Sequence, residues 1–158
     1  MATDQKNLNE YSDKNLVDIS DRQFAIVVSE WNEEVTSSLF EGAMATLLKH
    51  GATPDNIIRK NVPGSFELTL GAQWMAQKAT VDAVICIGCV IQGETRHFDF
   101  ICDAVAQGIT NVGLKFNKPV IFGVLTPDNQ QQALERAGGK HGNKGIEAAI
   151  TAIKMLGF

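Results

Sequence analysis

Val81-Asp82-Ala83-Val84-Ile85-Cys86-Ile87-Gly88 leads into Cys89-Val90-Ile91-Gln92-Gly93-Glu94-Thr95-Arg96-His97, and Phe98 to Phe116 follows at once. The first stretch is a short, nearly continuous apolar run, the pattern of a strand buried on both faces of a parallel sheet. The second is a polar loop with a glycine in it. The third has helical spacing, weakened by Gly108 and Gly113. A buried strand, a polar loop and a long helix make one unit of an α/β fold, and the rest of the chain repeats it. Upstream, Phe24-Ala25-Ile26-Val27-Val28 is a second apolar run, followed by a helix with Val35, Leu39, Ala43 and Leu47 at four-residue steps that stops at His50-Gly51. Asn56 to Val62 can form a strand ended by Pro63-Gly64, and Phe66 to Lys78 has helical spacing through Phe66, Leu70, Trp74 and Gln77. Downstream, Pro119 to Leu125 reads as a strand. Asp128 to Ala137 and Gly145 to Leu156 read as helices split by a glycine-rich turn at Gly138 to Gly142. The order β-α-β-α-β-α-β-α-α, with helix-length connections, predicts an α/β, flavodoxin-like, three-layer αβα sandwich with a four-stranded parallel sheet.

Residues 1–20 have few large apolar positions, so they are expected to form a flexible N-terminal arm outside the core, with a single domain over 21–158. At 158 residues the chain suits one domain. Hydrophobic residues at 44% against 20% charged supply a sizeable core and argue against disorder. A formal charge of −4 disfavours a main role in gripping nucleic acid, which needs clustered cations. The longest apolar runs fall far short of the roughly 20 residues that cross a bilayer, and the polar N-terminus has no signal core. The expectation is a cytoplasmic protein that engages neither nucleic acid nor membrane. Of the three cysteines, Cys86 and Cys89 form a Cys-x-x-Cys. Cys86 lies inside the apolar run instead of at a helix start, so a buried small residue is the better reading than a redox centre.

Open parallel sheets bind ligands beyond the carboxyl ends of their strands. Four loops should converge there: Ser29-Glu30-Trp31-Asn32, Val62-Pro63-Gly64-Ser65-Phe66-Glu67, Gly88 to His97, and Leu125-Thr126. In the third, Gly93 frees the backbone and Thr95 offers a hydroxyl and an amide just before a helix, a place suited to a phosphate. His97 adjoins it, and imidazole exchanges protons near neutral pH. The plain alternative makes Thr95 an N-cap and His97 a first-turn surface residue. Trp31 is either a helix-start residue covering the core edge or a platform for a planar ring. Glu67 could simply oppose a helix dipole, Arg136 could be a helix-end charge, and Lys140 and Lys144 a solvated pair. His50, ending a helix, and His141, in a glycine-rich turn, read as solvated. No metal-ligand spacing accompanies His97, and neither the P-loop nor the dinucleotide glycine pattern occurs.

Taken together, Val62-Pro63-Gly64-Ser65-Phe66-Glu67-Leu68, Gly88 through His97-Phe98-Asp99, Phe122-Gly123-Val124-Leu125-Thr126 and Glu135-Arg136-Ala137-Gly138-Gly139-Lys140-His141-Gly142-Asn143-Lys144-Gly145 resemble the signatures of 6,7-dimethyl-8-ribityllumazine synthases. The match runs in order from about Phe24 to the C-terminus. The resemblance implies the penultimate step of riboflavin synthesis, joining 5-amino-6-(D-ribitylamino)uracil to 3,4-dihydroxy-2-butanone 4-phosphate with release of phosphate and water, and needing no metal or organic cofactor. It implies Trp31 as the ring-stacking aromatic, Ser65 and Phe66 as backbone and wall contacts, and Glu67 as the carboxylate for ribityl hydroxyls. Val90 and Ile91 would line the pyrimidine side, and Gly93, Glu94 and Thr95 would form the phosphate loop. Arg136 would be the phosphate's cation and His97 the proton-transfer residue, with Phe122 and Lys144 contacts from a neighbouring subunit. Cys89 and Arg96 fall where the family varies and receive no catalytic role. The resemblance further implies homopentamers, and a compact Gly138 to Gly145 turn resembling members that pack twelve pentamers into an icosahedral 60-mer. The N-terminal arm would add to a neighbour's sheet, and riboflavin synthase would be a pathway neighbour. A non-catalytic flavin or lumazine binding module of the same fold is the alternative; it has no need of His97 and Arg136 together.

Overall fold

The computed structural model describes residues 16–158. Strands β1 (Phe24–Ser29), β2 (Ile57–Val62), β3 (Ala83–Cys89) and β4 (Val120–Leu125) form one sheet in the order β2-β1-β3-β4. All three pairings are parallel, with Phe24 opposite both Ile57 and Ala83, and Val84 opposite Val120. Every residue of β1 and β3 is buried, as their apolar runs require. Successive side chains alternate between faces. Phe24, Ile26 and Val28 join the core formed with helices α1 (Glu33–Lys49) and α5 (Lys144–Leu156). Ala25 and Val27 face the opposite core, built with α2 (Leu68–Ala76) and α3 (His97–Phe116). The three-layer αβα sandwich is therefore as expected.

Four local expectations change. Residues 1–15 lie outside the described residues, and with them most of the expected arm. The remainder is not outside the core: Ile19 is fully buried, and Leu16 and Val17 pack against the same cluster. Their apolar side chains are masked in the sequence by polar neighbours. The segment from Phe66 does not enter a helix directly, because Ser65–Glu67 forms a 3-10 turn before α2 begins at Leu68. Phe66, Leu70 and Trp74 are each about half exposed, while Leu68, Gly71, Ala72, Met75 and Ala76 are buried. Helix α4 is short (Gln130–Glu135), capped by the Asn129 side chain, which accepts from Gln132 N. The expected turn after it is a small antiparallel hairpin, β5 (Ala137–Gly139) with β6 (Gly142–Asn143). Gly138 and Gly142 both have positive φ, 110° and 81°, which permits so tight a reversal.

Candidate active site

The strand order reverses beside β1, whose successor β2 lies on one side and β3 on the other, so a crevice opens beyond their carboxyl ends. A cleft of about 700 Å³ is lined by residues of the three βα loops and the start of α3: Trp31, Gly64, Ser65, Phe66, Glu67, Cys89, Val90, Ile91, Gly93, Thr95, His97, Phe98 and Ile101.

The ladder bonds of the sheet run past the strand ends and fix these loops. Glu30 N donates to Val62 O and Trp31 N to Pro63 O, while Val90 N donates to Leu125 O and Gln92 N to Pro127 O. Asn32, next to Trp31, has the left-handed φ of 60°, where its short polar side chain is tolerated. Its Nδ2 donates to Cys89 O at 2.9 Å, tying the first loop to the third. Its carbonyl accepts from Val35 N and Thr36 N and so starts α1. Trp31 is thereby held 72% exposed at the cleft, which removes the reading of it as cover for the core edge.

Ser65 is buried at the cleft wall, and its Oγ has no hydrogen-bond partner among the described residues. Gly88 makes room for it, since a Cβ there would lie 2.7 Å from that oxygen. Phe66 and Glu67 are exposed toward solvent. His97 is the first residue of α3, one position earlier than expected, and the N-cap position falls on Arg96 instead of Thr95. The Thr95 hydroxyl still accepts from His97 N, at 3.4 Å. The exposed imidazole thus stands on a helix N-terminus whose first amides have no intrahelical acceptor.

Glu94, Phe122, Arg136 and Lys144 do not line this cleft. Arg136 closes α4 and Lys144 opens α5, and neither is a solvated charge: both bond to the buried carboxylate of Glu147. His141 is also less solvated than expected, with Nε2 3.7 Å from Glu135 Oε2. His50 closes α1 as its C-cap.

Gly64, Cys89, Phe98 and Ile101 line the cleft without having been read as site residues. Phe98 and Ile101 were legible in principle, because they fall within one helical turn of His97. Burial pushes the Cys86 and Cys89 thiols up to about 12, which disfavours the thiolate that a nucleophile or a redox pair uses. Among the described residues no three His, Cys, Asp or Glu side chains are grouped to hold a metal ion, and no helix is long and apolar enough to cross a membrane.

The family model for 6,7-dimethyl-8-ribityllumazine synthase matches residues 21–158. A protein of that name from Cytophaga hutchinsonii is 69% identical over 156 residues, covering 99% of this chain and 98% of the relative. Those from Parabacteroides distasonis and Flavobacterium johnsoniae are 54% and 56% identical, covering 100% and 98% of this chain, and 99% and 82% of the relatives.

Proposed function

The chain belongs to the 6,7-dimethyl-8-ribityllumazine synthase family, and from that premise we infer that it condenses 5-amino-6-(D-ribitylamino)uracil with 3,4-dihydroxy-2-butanone 4-phosphate to 6,7-dimethyl-8-ribityllumazine. The observation that carries the reading is the cleft around which Trp31 and Glu67, from two different βα connections, and His97, from the start of α3, stand together. A planar ring needs an aromatic platform, which Trp31 supplies, with Val90 and Ile91 along the pyrimidine side. The carboxylate of Glu67 accepts from ribityl hydroxyls, and Ser65 and Phe66 supply backbone and wall contacts. Phosphate sits against Gly93, Glu94 and Thr95 at the start of α3, where backbone N–H groups and the helix dipole favour an anion.

The reaction proceeds in four steps. The uracil amine adds to the ketone and loses water to give an imine. His97 takes a proton from the adjacent carbon, phosphate leaves by elimination to an enol that takes up a proton at its terminal carbon and becomes a methyl ketone, and attack of the ribityl-bearing nitrogen on that ketone closes the ring and expels a second water. Holding both substrates together can supply ~7 kcal/mol or more, whereas proton transfer by a side chain contributes ~10²-fold or more. His97→Ala is therefore expected to slow turnover by about 10²-fold without abolishing it. The assay is formation of the fluorescent lumazine with phosphate released in equal amount. No product from the unaltered chain would overturn the function, and an unchanged rate in the variant would remove His97 from proton transfer.

The site is completed by a neighbouring copy, which contributes Phe122, Arg136 and Lys144, in a homopentamer. Two observations support this: those residues do not line their own cleft, and Phe66, Leu70, Trp74, Phe100 and Leu114 are large apolar side chains left exposed on the α2 and α3 side. Twelve pentamers would close into an icosahedral shell. Light scattering should give about one megadalton, sixty chains of 17.1 kDa; a monomer mass would overturn the shared site. The cytoplasm is the compartment that suits three unpaired cysteines.

A further inference from the structure

Glu147 takes no part in the chemistry just described, yet it is the one charged residue that the fold buries among the described residues, at 6% exposure. A buried carboxylate stays ionised only when it is paired and hydrogen-bonded. Here each oxygen holds a different cation. Oε1 accepts from Arg136 Nη2 at 2.5 Å, and Oε2 accepts from Lys144 Nζ at 3.2 Å. The two cations lie on either side of the β5–β6 hairpin and are also joined through the backbone, Lys144 N donating to Arg136 O at 2.9 Å. Arg136 Nη1 donates to the carbonyl of His141 inside that hairpin.

A guanidinium carries five N–H donors in a planar fork. These bonds to Glu147 and His141 orient the fork and leave further donors for an anion approaching the solvent side, where 17% of the Arg136 side chain and 28% of the Lys144 side chain remain accessible. Two cations against one carboxylate leave one positive charge. The first turn of α5 favours the carboxylate as well, since the helix dipole is positive there. Long cationic side chains left to themselves sample many rotamers, and fixing them before the ligand arrives removes that cost from binding.

We propose that Glu147 is a positioning residue for the substrate's phosphate, presenting Arg136 and Lys144 as one preset pair of cations. The inference rests on the reading of Arg136 as the phosphate's cation. In the full-length chain, Glu147→Gln should raise the KM for the butanone phosphate about tenfold, short of the ~10²-fold that an ångström of misplacement can cost, and leave the pyrimidine KM within about twofold. Glu147→Asp, which keeps the charge on a shorter stem, should fall between, and it decides the matter if the Gln variant does not fold. The Kd of inorganic phosphate, by calorimetry, should weaken in parallel, and in an Arg136→Ala background the Glu147 substitution should have a clearly smaller effect than in the wild type, because only Lys144 is left for it to position. Equal rises in both KM values, no rise, or tighter phosphate binding would overturn the positioning role. A wild-type chain that binds phosphate but forms no lumazine would overturn the functional reading alone, and the calorimetric series would still decide the role of Glu147.

Discussion

Arg136→Ala is expected to raise the KM for the butanone phosphate by about 10²-fold or more while leaving that for the pyrimidine within about twofold. Hydrogen bonds to charged groups contribute roughly 1.5–3 kcal/mol each, a bidentate guanidinium makes two, and 1.4 kcal/mol is tenfold in affinity. The same substitution strips Glu147 of its shorter ion pair, 2.5 Å against the 3.2 Å to Lys144. Removing one partner of a buried pair costs ~3–5 kcal/mol, but Lys144 still holds the second oxygen, so a loss nearer ~2 kcal/mol is expected. Steady-state kinetics with each substrate varied in turn, beside a denaturant melt, separate the two effects. Arg136→Lys should recover much of the stability and only part of the affinity, because an ammonium is a point charge without the planar fork. An unchanged KM for the phosphate substrate in the Ala variant would remove Arg136 from the phosphate site.

The sheet was legible because β1 and β3 are apolar at nearly every position and have no other stable home than the middle of a parallel sheet. Once the strand order is known, the loops at the carboxyl ends follow, and so does the gathering of Trp31, Ser65 to Glu67, Gly93, Thr95 and His97 at one cleft. Periodicity alone could not tell which face of α2 turns inward. Phe66, Leu70 and Trp74 make the larger apolar stripe, yet the sheet takes the face with Gly71 and Ala72, because small residues allow the helix to approach Val27 and Val62. That choice leaves Phe66, Leu70 and Trp74 about half exposed on the outer face. Glu147 was invisible for a different reason. A Lys and a Glu three residues apart on a helix read as an ordinary solvated pair, and only the folded chain shows the carboxylate buried between two cations. Arg136, eleven residues away across the hairpin, could not be matched to it by spacing.

The packing of α5 on α1 leads to the largest stability effect expected of a single methyl group. A Cβ at Gly145 would stand 1.8 Å from the carbonyl oxygen of Leu39, which lies in the middle of α1 and cannot rotate aside as a side chain could. The neighbouring contacts leave little freedom to slide. Asn143 caps α5 by accepting from Gly145 N and Ile146 N, and its Nδ2 donates to Ser38 O at 3.0 Å. At Gly42 a Cβ would run into the same Asn143 side chain, 2.6 Å away. Helix propensity favours alanine over glycine by at most ~1 kcal/mol, whereas overpacking typically costs ~1–3 kcal/mol and more where backbone must move. Gly145→Ala should therefore lose about 3 kcal/mol, a large part of the ~5–15 kcal/mol that holds a domain together, and lower Tm by roughly 10 °C. Gly113→Ala, inside α3, is the matched control, since its nearest contact would be Lys118 O, just beyond the helix, at 3.4 Å, and it should be neutral or stabilising by up to ~1 kcal/mol. Thermal melts of the two variants should move in opposite directions or differ by most of that span; equal destabilisation would show that close approach of α5 to α1 is not what requires glycine at 145. Because Lys144 precedes Gly145 and Glu147 follows it by two residues, a shift of the α5 start should also loosen the cation pair, so the Gly145 variant is expected to bind inorganic phosphate more weakly even below its melting range.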